Sequence, residues 1–439
     1  MSEIGGIFHL DDKPVDRASL SGMSDSVKFR GPDRSGIWIN GFIGLYNNQL
    51  ITIPESEYES MPLSIENYTV TADSRIDNRT ELIKNLEISG SPKEITDSLI
   101  ILRSYQKWKE DCPKYLLGDF AFVIWDAIKK KLFCARDHLG VKPFYYYFVP
   151  EKLFIFSSEL KSLFSCGLVR REIKDNKIFD FLKDNEAIDK TTTSFENVLK
   201  LPPSHSFEIS KGGINKKLYW SFDPSKEIKY KNQSDYYEHF LELYTESVKC
   251  RLRSTKKPAS MLSGGVDSSS IVCLARNILD NSEKQLTTIS AITGDGTNCP
   301  EKPFIDSVVN QGGLNAEFIR SDRIESFKCG LNNIFDNIQE PYDFTMNWIA
   351  LLNLKAKENG CNFIMDGVDG DLAANQGPEI LTHLYKRRDY LKALNYTYKM
   401  ARFYEEPPIK YLWNYGIKPV APRFIKRIWH TIKNKKVIP

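Results

Sequence analysis

The run Met261-Leu-Ser-Gly-Gly-Val-Asp-Ser-Ser-Ser270 decides how the chain around it is read. The pattern predicts a short strand over 258–262 and a helix over 271–276. A strand that breaks into Ser263-Gly264-Gly265 bares consecutive backbone N–H groups, and Ser268 and Ser269 add hydroxyl donors at the positive end of the helix. Such a turn is a cradle for an anion. It lacks the spacing and the lysine of a Walker A loop. Asp267 sits in the cradle, where a carboxylate repels phosphate unless a cation lies between them. The residues therefore point to a magnesium ion on Asp267, touching the pyrophosphate part of ATP. A plain Gly-Ser turn between strand and helix is the competing reading.

A second apolar strand, 363–365, runs into Asp366-Gly367-Val368-Asp369-Gly370-Asp371. In an open parallel sheet, loops at the carboxyl ends of neighbouring strands meet at one crevice. Asp267 and Asp371 are thus expected to share one magnesium ion. The nucleotide is expected along Leu262, Ser263, Gly264, Gly265 and Val266, continuing through Ser268 and Ser269, with Gly367 opposite. Ser290, near the end of a strand over 286–291, is expected beside the adenine. Helical and strand patterns alternate from there, at about 304–310, 316–319, 348–358 and 363–365. That alternation implies a parallel sheet with helices on both faces.

Ser-Gly-Gly-x-Asp-Ser resembles the PP-loop of the asparagine synthetase superfamily, whose members cleave ATP to AMP and pyrophosphate to activate a carboxylate. The resemblance extends from residue 2 to about residue 377. Its N-terminal landmarks are Gly6-Ile7-Phe8, Arg30-Gly31-Pro32-Asp33, Leu117-Gly118-Asp119-Phe120-Ala121-Phe122, Ala135-Arg136-Asp137-His138-Leu139-Gly140-Val141-Lys142-Pro143, Phe156-Ser157-Ser158-Glu159-Leu160-Lys161 and Leu201-Pro202-Pro203. It implies an α+β N-terminal-nucleophile (Ntn) glutaminase-like αββα sandwich over 1–220 and a linker over 221–235. An α/β PP-loop ATP pyrophosphatase domain (adenine nucleotide α-hydrolase-like) with a parallel sheet is implied over 236–439. Strand signals at 37–39, 68–72, 121–125, 131–135 and 153–156, with a helix over 98–108, agree with the first domain.

Glutamine hydrolysis in the family uses an N-terminal cysteine, and Ser2 stands in that place. A serine hydroxyl is a far weaker nucleophile than a thiol unless a base assists it. Asp73-Ser74-Arg75 replaces the family's Asn-Gly-Glu, and Gln49 replaces the arginine before Leu50. Arginine for glutamate is expected to invert the charge offered to the ammonium group of glutamine, so the glutaminase is expected to be inactive.

Gln339-Glu340-Pro341 resembles the family's acidic-Pro motif near the acyl substrate, which makes Glu340 either a catalytic-site contact or a helix-flanking charge. Val368 stands where relatives carry a Glu or Tyr acid/base, and valine moves no proton. Relatives also supply a later lysine that steadies the acyl transition state; the sequence is expected to stop, at Pro439, short of that segment. The branch these departures resemble is the macrolactam-forming one, best known for lasso-peptide cyclases. Its substrate is a carboxylate-bearing precursor peptide or small molecule, with leader-handling proteins as possible partners. A divergent asparagine synthase and a nucleotide-binding pseudoenzyme or scaffold are the alternatives.

The chain has 439 residues, enough for two domains. Lys+Arg 60 against Asp+Glu 57 leaves a net charge of +3, which argues against a dedicated nucleic-acid binder. Eight scattered cysteines without a C-x-x-C pair imply a reducing compartment. No signal peptide or membrane span is read, so a cytoplasmic location is expected. A helix over 236–253 places Phe240, Leu243, Tyr244, Val248 and Leu252 on one face, as a core helix does. Past Pro422, Phe424, Ile425, Ile428, Trp429 and Ile432 form an apolar stripe opposite basic residues, read as a helix that packs on its own domain, on a partner or on a membrane surface.

Overall fold

In the strand Gly118–Asp126, Phe120, Phe122 and Ile124 face one way and Ala121, Val123 and Trp125 the other, and all six are buried. A strand apolar on both faces has to lie between two layers. The computed structural model describes residues 1–421 apart from 185–188, 190, 224, 281–284, 344–345, 371–376 and 379. It falls into two units, the first made of Met1–Gly265 and Ser269–Met365, the second of Val266–Ser268 and the residues from Asp366 onward.

The first unit opens with twelve strands: β1 (Glu3–His9), β2 (Arg34–Asn40), β3 (Ile43–Gln49), β4 (Leu63–Ile65), β5 (Tyr68–Ile76), β6 (Gly118–Asp126), β7 (Lys131–Arg136), β8 (Tyr145–Val149), β9 (Leu153–Ser157), β10 (Val198–Lys200), β11 (His205–Ser210) and β12 (Gly213–Leu218). They form two six-stranded antiparallel sheets, ordered β10-β8-β9-β1-β3-β2 and β12-β11-β7-β6-β5-β4. Ile4, Phe8, Ile43 and Leu45 of one sheet pack on Ala121, Val123, Trp125 and Leu132 of the other. Helices α1 (Arg17–Ser26), α2 (Arg79–Asn85), α3 (Asp97–Trp108) and α4 (Leu160–Ser165) close the outer faces. Leu20, Met23, Leu160 and Leu163 cover Ile7 and Ile155, while Leu82, Ile100, Ile101 and Tyr105 cover Phe120, Phe122 and Ile124. This is the expected αββα sandwich. Each expected strand forms, and each runs beyond its apolar core because backbone pairing continues where side chains turn polar.

After the short helix α5 (Asp175–Asp184), the helix α6 (Gln233–Arg251) starts at a capping box between Asn232 and Asp235, so the end of the expected linker is already helical. Four parallel strands follow, β13 (Ala259–Met261), β14 (Leu286–Ile292), β15 (Leu314–Arg320) and β16 (Ile364–Met365), in the order β15-β14-β13-β16. The intervening helices are α7 (Val266–Leu279), α8 (Lys302–Val309), α9 (Lys328–Asn337) and α10 (Asn347–Glu358). Side chains of α6, α7 and α8 form one core with Leu286, and those of α10 and Phe327 form another with Ala259, Ile289 and Ile319. Helices on both faces of a parallel sheet are what the alternation implied.

Two expectations change. Helix α7 begins at Val266 rather than 271, because Asp267, Ser268 and Ser269 suit a first helical turn entered from an extended Gly265. Helix α6 is not a core helix along its length: Val248 and Leu252 are buried, but Phe240 and Leu243 are each 55% exposed. A helix of 19 residues is about 28 Å long, more than the short strands beneath it can cover.

In the second unit, the helices Ile380–Lys386 and Tyr390–Phe403 bury Leu381, Ala393, Thr397 and Ala401. The stripe from Phe424 to Ile432 and the basic residues beside it lie outside the described residues. Among the described residues, no helix is long and apolar enough to cross a membrane.

Candidate active site

The Ser-Gly-Gly loop is built from the end of β13. Leu262 N–H donates to Ile289 O at 3.0 Å, and the buried Ser290 hydroxyl donates to Leu262 O at 2.6 Å. The side chain of Ser290 therefore braces the root of the loop. Gly264 has φ +81°, and a Cβ there would stand 2.8 Å from Phe304 Cβ and 3.1 Å from Glu301 O. Only glycine fits that turn. Gly265 is the N-cap of α7 and accepts from Ser269 N–H at 3.0 Å. The Tyr244 and Ser270 hydroxyls are 2.8 Å apart, which ties α6 to the first turns of α7. A glycine turn aimed at a helix start suits a phosphate group.

Within the second unit, the loop after β16 packs on the side chain of Asp267. A Cβ at Gly370 would stand 2.5 Å from Asp267 Cγ, and one at Gly367 would stand 2.8 Å from Ser268 N. Both glycines are thus needed for the close approach. Asp366 Oδ1 accepts from Val368 N–H at 3.1 Å, and Asp369 takes a positive φ of 63°. Val368, at 57% exposed, offers no proton-transfer group. Asp371, the second expected metal ligand, lies outside the described residues. Among the described residues, Asp267 is the carboxylate held against Gly367 and Gly370, and a carboxylate oxygen is the kind of ligand magnesium takes.

Glu340 is held by the sandwich. Lys200 pairs with Oε2, and Ser194 N–H donates to Oε1 at 3.2 Å. Lys161 Nζ donates to Asn337 Oδ1 at 2.8 Å beside it. Neither of the two readings weighed for Glu340 included this link. Its partners lie 140 and 146 positions away, beyond any local pattern.

At the glutaminase position, Ser2 Oγ accepts from Leu50 N–H at 3.1 Å. The loop 137–142 is rigid: Asp137 accepts from Leu139, Val141 and Lys142 N–H, and Arg136 donates to Lys142 O, Gly140 O and Leu201 O. It delivers Lys142 Nζ to 2.8 Å from the buried Asp73 Oδ1. Lys142 stands within a recognised motif, yet only the fold reveals its partner. The guanidinium of Arg75, the residue expected to invert the charge offered to glutamine, is engaged by Asp77 and by Cys250 O at the end of α6.

A glutamine amidotransferase domain model matches residues 1–220, and an asparagine synthase model matches residues 239–421. "Asparagine synthetase [glutamine-hydrolyzing] 3" of Bacillus subtilis (strain 168) is 29% identical over 59% of this chain and 42% of its own length. "Putative asparagine synthetase [glutamine-hydrolyzing] 2" of Methanocaldococcus jannaschii is 32% identical over 71% of this chain and 63% of its own. The chain thus spans about half the length of these relatives. Among solved structures, the glutamine phosphoribosylpyrophosphate amidotransferase of B. subtilis complexed with ADP and GMP matches with a TM-score of 0.39 at 10% identity, over 84% of this chain and 91% of that one. With both of its halves matched in order by the two domain models, the chain belongs to the asparagine synthetase superfamily.

Proposed function

We propose that the chain is an ATP-dependent amide-forming ligase that adenylates a carboxylate, with a precursor peptide as substrate and a macrolactam as product. The observation that carries the reading is the Gly264 turn at the end of β13, where a positive φ and crowding by Phe304 admit glycine alone before α7 begins. A carboxylate oxygen attacks the α-phosphorus of ATP and the bond to pyrophosphate breaks. The amine nitrogen then attacks the acyl carbon, AMP leaves, and the amine gives up a proton. Magnesium held by Asp267 and Asp371 would neutralise charge on the departing pyrophosphate. With Val368 unable to act as a base, Asp366 and Asp369 are the neighbouring carboxylates left to take that proton, unless the amine is a strong enough nucleophile unaided. The first domain does not hydrolyse glutamine in this reading: Lys142 neutralises Asp73, and Arg75 is engaged elsewhere.

The test is AMP release from MgATP, with aspartate and ammonia in one reaction and, in another, a precursor peptide encoded by a small gene beside this one. AMP with the peptide alone, together with a product lighter by one water and no AMP from Asp267→Ala, is the expected result. AMP with aspartate would replace the peptide reading by asparagine synthesis. Bound ATP without AMP in either reaction would leave a pseudoenzyme.

A further inference from the structure

The loop that has lost the glutamine-binding pattern has gained other partners. Arg75 Nη2 donates to Cys250 O in the last turn of α6, and its Nε lies 3.4 Å from Asp77 Oδ1. A guanidinium on the last carbonyls of a helix is favoured by the charge that gathers there. Just beyond, α6 reaches back to the sandwich. Arg251 Nη2 lies 2.9 Å from Asp119 Oδ1, and Arg253 Nη2 donates to Ile76 O at 2.9 Å. Thr255 N–H donates to Thr52 O at 3.0 Å. From the other strand, Asn362 Nδ2 donates at 3.1 Å both to Ile51 O and to Thr255 Oγ1.

Residues 250–255 lead into β13, and Asn362 leads into β16. These strands are parallel neighbours, with Ala259 opposite Ile364 and Ser260 opposite Met365. The sandwich therefore grips the entry ends of the two strands whose exit ends carry the two glycine loops. We propose that Arg75 and Asn362 are positioning residues, and that the sandwich, in place of glutamine hydrolysis, sets the nucleotide loops by clamping the roots of β13 and β16. The consequence for ATP rests on the reading above; the clamp itself rests on geometry alone.

The experiment compares the full chain with Arg75→Glu, which puts the family's residue back, and with Asn362→Ala. Amide hydrogen exchange is followed at 250–262 and 362–365, alongside AMP formation against MgATP concentration. A charge-assisted bond lost from the clamp is expected to speed exchange in both segments about tenfold or more, while β1, β3 and β9 keep their protection. If the competent arrangement becomes about tenfold rarer, half-saturation with MgATP rises about tenfold, with a much smaller change in turnover at saturation. Arg75→Lys, which keeps a cation near Cys250 O, is expected to recover part of both effects. Unchanged exchange in Arg75→Glu would overturn the clamp. Faster exchange with an unchanged MgATP dependence would overturn its link to the nucleotide loops. Should Arg75→Glu lose protection throughout, Asn362→Ala carries the same comparison. If the unmodified chain neither binds nor cleaves MgATP, the functional reading fails and the positioning role falls with it, while exchange still decides whether the clamp exists.

Discussion

Glu3 is fully buried on β1, with Oε1 accepting from Ser157 Oγ at 2.6 Å, Ser158 N–H at 3.1 Å and the Tyr46 hydroxyl at 3.2 Å. Arg30 approaches Oε2 only to 3.5 Å and gives its closest contact to Glu159. Burial outweighs the nearby cation and pushes the carboxyl from 4.5 up to about 8. The folded state then holds a proton that the unfolded chain releases near pH 4.5. Stability contributed by protonated Glu3 is complete below that pH and is lost as pH rises through about 8, at up to about 1.4 kcal/mol per unit. Urea midpoints measured from pH 5 to 8.5 should fall less steeply in Glu3→Gln; parallel slopes would disprove the assignment. Gly264→Ala makes a second residue-scale prediction. The left-handed backbone alone costs about 1–2 kcal/mol, crowding by Phe304 adds to it, and MgATP binding should weaken as well. An unchanged midpoint with unchanged binding would mean that the turn tolerates a side chain. At this scale the sequence showed Arg75 as a departure but not its destination, because Cys250 lies 175 positions away.

At the scale of elements, α6 separates what periodicity can tell from what it cannot. The spacing of Phe240, Leu243, Tyr244, Val248 and Leu252 marks a helix with an apolar face, and the helix is there. What covers that face depends on strands that come later in the chain, and they reach only its C-terminal half. Leu252→Ala should therefore cost about 2–4 kcal/mol in denaturant unfolding, whereas Phe240→Ser should stay within about 0.5 kcal/mol. Equal losses at both positions would restore the fully covered helix. The strands of the sandwich were more legible, since runs such as 120–125 are apolar on both faces and admit no other place than between layers. The start of α7 was misplaced because a first turn rich in Asp and Ser reads as loop.

Across the molecule, the sandwich and the parallel sheet share one unit, and charged groups join them. The Asp97 side chain is 1% exposed and accepts from Ile76 N–H at 2.8 Å while pairing with Arg79; Arg253 stands 3.7 Å away and also reaches Glu55 at 3.3 Å. Burial raises the pKa of Asp97 against the pull of these arginines. Charges enclosed in this way are costly to leave alone, so removing one partner should hurt far more than a surface pair would. Arg253 belongs to the segment entering β13, and Asp97 and Glu55 belong to the sandwich. Loss of Arg251 and Arg253 together should therefore act on the coupling between the two folds more than on either fold. Scanning calorimetry is expected to show a single transition for the sandwich and parallel sheet in the unmodified chain. That transition should survive 0.5 M salt, since buried pairs are weakly screened. The Arg251→Ala/Arg253→Ala variant should split it into two, with the parallel sheet melting first because its strands β13 and β16 span only three and two residues and lose their anchorage. One transition, merely lowered, would mean that apolar packing rather than the arginines couples the two folds.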